Sequence, residues 1–152
     1  MRLLRRLARN QQGQALVEFA LVLPLVLILV ISVFEFARAW NIQQVITDTA
    51  RECARVAVIG NGNGKTAAEI QTEIDATVDT AFSVAAIDPA TATITTNGLA
   101  SGRGFNATVG ISVPYQFIFL GPLMDLISRF AGGSSGFGST IQLQTSFTMR
   151  NE

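Results

Sequence analysis

Two carboxylates bracket an apolar run and have the most chemistry to offer: between Glu18 and Glu35, residues 19–34 carry no charge. A carboxylate at the margin of a lipid-length segment is costly and points to a task. Glu18 reads as a boundary residue that snorkels towards water, and Glu35 as half of an i, i+3 ion pair with Arg38 at the opposite margin. Further along, Glu69, Glu73, Asp75 and Asp79 include i, i+4 pairs that imitate a calcium site. The loop spacing of such a site is absent, so a solvated acidic face is the simpler reading. The stretch GNGNGKT at residues 60–66 invites a phosphate-loop reading, yet the position five residues before Gly64, where a glycine is required, is Ile59. It reads as a helix stop and turn. The chain has a single cysteine, Cys53, and no histidine. That excludes an internal disulfide, a Cys/His zinc cluster and the common Ser–His and Cys–His nucleophiles. No catalytic residue, metal or cofactor is expected, and an enzyme has no supporting constellation.

The elements that must position Glu18 and Glu35 begin with a helix. Residues 1–13 form a leader with four arginines, Arg2, Arg5, Arg6 and Arg9, and no acid. The remaining chain holds seven basic and eleven acidic groups, a net charge of −4 hidden by an overall sum of zero. Without a basic run there, nucleic-acid binding is not expected. Residues 14–39 match the ~20 apolar residues that a bilayer needs, and the leader arginines place the N-terminus on the cytoplasmic side. Trp40 falls where an amphipathic ring favours headgroups. Pro24 removes one backbone donor and should bend the helix.

The helical period continues outside the apolar run. Ile42, Val45, Ile46, Thr49, Ala50, Cys53, Val56 and Ala57 share one face, and Asp48, Arg51, Glu52 and Arg55 the other. Residues 40–59 are therefore an amphipathic continuation, giving a rod close to ~70 Å long at ~1.5 Å per residue. Residues 60–152 form a small α+β head. A second amphipathic helix spans residues 66–82. Strands are predicted at residues 92–96, at 105–117 and at 141–149, the last two alternating apolar and polar residues with a period of two. Pro114 places the end of the middle strand at a sheet edge or bulge. A one-sided antiparallel sheet covered by the long helix is the expected fold. Between the last strands a short helix runs from Gly121-Pro122 to about Phe130. Its Leu123, Met124, Ile127 and Phe130 spread over more than one face, as core or as a surface for a partner subunit or the membrane.

The arrangement around Gly13 resembles the cleavage site of prepilin-type signal peptides, which are cut after the glycine so that the apolar helix stays on the mature protein. Three blocks extend the likeness: GQALVEFALVLP at residues 13–24, EFAR at 35–38 and ARECAR at 50–55. Together they resemble the N-terminal domain of the TadE-like family, pseudopilins of the tight-adherence (Tad, or Flp) pilus system. The closing Met149-Arg150-Asn151-Glu152 is similar to common family endings, whereas Cys53 stands where the family usually has a small residue.

The resemblance implies a pilin-like α+β fold and a non-catalytic minor pseudopilin, cut between Gly13 and Gln14 by a prepilin peptidase. It implies that Glu18 docks subunits, since cleavage creates an amine at Gln14 one helical turn away. It further implies residence in a bacterial inner membrane with the head periplasmic, or incorporation in a pilus. The implied partners are a sister pseudopilin, platform proteins and the major pilin. Two other readings compete. One is an uncleaved single-pass anchor carrying a binding or sensor domain. The other is a secreted enzyme cut at Ala37-Arg38-Ala39, which would sever a helix whose period continues across the cut.

Overall fold

In the computed structural model, which describes residues 11–130, 132 and 140–151, a single helix α1 (Gln11–Gly62) runs through both halves of the expected rod. Pro24 lies inside it, and the helix continues past the lost backbone bond. Along its first part the large side chains stand free: Leu21 is 74% and Phe34 71% exposed. The helix is long and apolar enough to cross a membrane. From Glu35 onward one stripe turns inward, and Ile46, Ala50, Cys53, Ala54 and Ala57 become fully buried. This stripe is wider than the periodicity suggested, because two elements pack on it instead of the sheet alone.

Helix α2 (Ala67–Val84) starts at a capping box. The Thr66 hydroxyl accepts from the Glu69 N–H, and the Glu69 carboxylate accepts from the Thr66 N–H. Ile70, Ile74, Val78 and Phe82, at helical spacing, bury against α1. Close approach is possible because residue 60 is glycine: a Cβ there would stand 2.6 Å from Ile70 Cγ1. A 3-10 turn (Pro89–Thr91), capped by Asp88, leads into the sheet.

Among the described residues the sheet has three antiparallel strands in the order β1 (Thr93–Asn97), β2 (Asn106–Gln116), β3 (Thr140–Arg150). Ala107, Val109, Ile111, Val113 and Tyr115 point inward from β2 and cover α1. Phe105, expected to open that row, precedes the strand and is 63% exposed. Pro114 sits in the central strand, paired with Gln142 of β3. β1 reaches only Ser112, so on its other side Pro114 has no strand to which an N–H would donate. The fold is thus α+β, a long apolar N-terminal helix with a small antiparallel sheet, as expected. Helix α3 (Leu120–Phe130) connects β2 to β3 and begins one residue before Gly121-Pro122. Among the described residues, no buried side-chain polar atom lacks a partner.

The strands run along α1. At one end Tyr115 bonds to Glu35, and at the other Asn61 of α1 bonds to residues 98 and 100 beyond β1. The head is therefore upright on the helix, with a Glu35 end and an Asn61 end.

Candidate functional site

Gly13 lies in the first turn of α1, and among the described residues nothing stands within 4 Å of where a Cβ would be. Gln14 and Glu18, one turn apart on the same stripe, are both exposed. Among the described residues Glu18 has no hydrogen-bond or ion-pair partner, so its carboxylate is presented outward among bare apolar side chains.

Glu35 is different, being only 3% exposed. Its Oε2 accepts from the Tyr115 hydroxyl at 2.8 Å, and its Oε1 accepts from the Phe119 N–H at 2.7 Å. The Tyr115 hydroxyl also lies 3.2 Å from the Glu35 carbonyl oxygen. The ion pair expected with Arg38 is not among the described pairs, since Glu35 turns to these donors of the head. The Arg38 guanidinium instead lies over the Tyr115 ring, 5.4 Å from its centroid. The two charged residues meet through Tyr115. Burial first, then the hydrogen bond to Glu35, pushes the Tyr115 hydroxyl up to about 12. Sequence reasoning missed this tyrosine. Its signal was a phenol closing a row of inward apolar residues, where the hydroxyl needs a partner.

Beside this node α1 and the head form a groove of about 440 Å³. Ser32, Phe36, Ala39, Trp40 and Gln43 line it from one helical face, and Phe117, Leu120, Ile141 and Leu143 from the head. Phe36 and Trp40 stack with centroids 6.1 Å apart. Gln43 closes one wall by donating to the Gln144 carbonyl at 3.2 Å. Of the expected α3 surface, Leu123 is half-buried, and the side chains of Met124, Ile127 and Phe130 lie outside the described residues.

Other sequence signals are absorbed by structure. The N–H groups of Asn63, Gly64 and Lys65 bond to carbonyls of Ile59, Asn61 and Gly60, leaving no cradle for a phosphate. Glu69 caps α2, Glu73 pairs with Lys65, and Asp75 accepts from Gln71, so the acidic face is only partly free. No metal-holding cluster occurs among the described residues. Cys53 is fully buried, and burial, reinforced by the charges of Glu52 and Asp75, raises its thiol to about 11. It is a core residue and a poor nucleophile.

Residues 13–55 match the family model of TadE-like proteins, a span that lies wholly within α1 and includes Gly13, Glu18, Glu35 and Cys53. No curated protein matches the chain, and no solved structure does.

Proposed function

We propose that this chain is a non-catalytic minor pseudopilin acting in assembly of a Tad-type pilus, matured by a prepilin peptidase that cuts after Gly13. The observation that carries the reading is a pairing: the TadE-like match begins at Gly13, and among the described residues Glu18 stands without a partner on a largely apolar stretch of α1. The leader arginines hold the N-terminus in the cytoplasm, where the peptidase acts. Position 13 is open, with nothing among the described residues within 4 Å of where a Cβ would stand, so the scissile bond is accessible. Glycine there also weakens the helix locally by ~1 kcal/mol relative to alanine, easing the unwinding that proteolysis needs.

Cleavage converts Gln14 into an amine one turn from Glu18. The amine and carboxylate then form a neutral unit, and exchange of partners with a neighbouring helix joins subunits at the membrane margin, where an unpaired charge beside lipid is costly. In this reading the head faces the periplasm, and the neighbours are a sister pseudopilin, the major pilin and the platform proteins of the inner membrane.

The test is the N-terminal residue of protein purified from membranes of cells that contain the peptidase. Gln14 is expected, and Gly13→Leu should retain Met1 and migrate more slowly. Met1 on the wild-type protein refutes processing and supports an uncleaved anchor, whereas Trp40 indicates a secreted head.

A further inference from the structure

We infer that the base of the head is a second membrane contact, in which the residue 117–120 turn and the adjoining groove take the acyl chains of the outer leaflet. The inference needs only that α1 spans a bilayer, and does not depend on cleavage after Gly13. A hydrocarbon core of ~30 Å corresponds to ~20 helical residues. Counted from Glu18, that span reaches residue 38. Glu35 therefore lies about 4.5 Å inside the boundary at ~1.5 Å per residue. Phe119, whose N–H is fixed to the Glu35 carboxylate at 2.7 Å, lies at the same depth.

The side chains at this level suit lipid. Ile118 and Phe119 are 48% and 62% exposed, and Phe36 and Trp40 on α1 are open as well. Together with Phe117 and Ile141 they extend the bare apolar surface of the spanning helix sideways onto the head. The opposite end of the head has another character. Asn61 of α1 binds the turn after β1 there, about 39 Å further along the helix at ~1.5 Å per residue. Asn97, Ser101, Arg103, Asn106 and Arg150 dominate that end, where Ile59 and Phe105 are the exposed large apolar side chains among the described residues. A head open to water on all sides has no reason for such a gradient, whereas one standing in the interface does. The contact also explains how a carboxylate is tolerated at this depth, since Tyr115 and the residue 117–120 turn supply its hydrogen bonds and cover it.

The experiment uses full-length protein in phosphatidylethanolamine/phosphatidylglycerol vesicles, with a nitroxide on Ile118→Cys, Phe119→Cys or Asn97→Cys. Labelled wild-type protein controls for buried Cys53. Positions 118 and 119 are exposed, so these changes leave the core intact. Collision rates with oxygen and with a water-soluble nickel chelate report depth. Labels at 118 and 119 should show at least a tenfold higher oxygen-to-nickel ratio than the label at 97. Equal ratios at all three sites overturn the inference by placing the base in water. Exclusion of both quenchers at 118 and 119 also overturns it, identifying a second protein chain as the occupant.

Discussion

Glu35 and Tyr115, 80 positions apart in sequence, make one hydrogen bond that ties sheet to helix. Replacing Glu35 with alanine strands the Phe119 N–H and leaves the Tyr115 hydroxyl only the residue 35 carbonyl, and should cost about 1–3 kcal/mol. Tyr115→Phe should cost about 1 kcal/mol, because Glu35 keeps its bond to Phe119. A double-mutant cycle on full-length protein in detergent checks the coupling: additive losses would show that the two side chains do not act together. The pair also shapes the alkaline limit. Cys53 is raised from 9.0 to about 11, and Tyr115 from 10.0 to about 12. Above pH 9 the unfolded chain releases protons that the folded one keeps, so stability is full below that pH and falls as pH rises towards 12. Cys53→Ala should move the onset of this fall up by about one pH unit, read as melting temperature against pH. With one tyrosine in the chain, absorbance at 295 nm follows Tyr115 directly. Sequence spacing could suggest only a local partner for Glu35. Its actual partners depend on where β2 ends, and no nearby residue encodes that.

Among elements, α1 and β2 were the most legible. A period of 3.6 and a period of two over 105–117 need no tertiary information; the observed bounds differ by one residue at each end of β2 and by three at each end of the helix expected over 14–59. The central place of β2 was not legible, because alternation reports which face is buried and not which neighbours pair. Nor was the role of Arg51. It was placed on the solvent face, and it does pair with Asp48, but its guanidinium also lies 4.9 Å from the Phe147 ring centroid on β3. Packing of helix on sheet makes a direct prediction. Ile46→Asp buries an unpaired carboxylate at a fully buried position and costs several kcal/mol, enough to unfold the head. Arg55→Gln loses only an exposed pair with Glu52, under ~1 kcal/mol. Gly60→Ala tests the contact of α1 with α2. The added methyl collides with Ile70 and should cost about 1–3 kcal/mol despite alanine's better helix propensity. Thermal melts of the three variants rank them, and a Gly60→Ala protein as stable as wild type would mean that the helices part without strain.

On the scale of the whole molecule, membrane and head are joined by a helix that has no hinge loop. Glu18→Ala should therefore leave the head folded and the protein in the membrane, since a less polar helix inserts at least as well. Pilus number should fall sharply in cells whose only copy carries the change, and normal piliation would return Glu18 to a boundary role. The match at residues 13–55 made the lipid end recognisable, whereas the head had to be read from periodicity alone. One mechanical consequence follows from α1 running unbroken from Gln11 to Gly62. With Pro24 as pivot, the far end is a lever arm of about 57 Å at ~1.5 Å per residue. A bend that changes by only ~10° at the proline would sweep the tip of the head through about 10 Å, so a small event deep in lipid is read out as a displacement the size of a helix diameter.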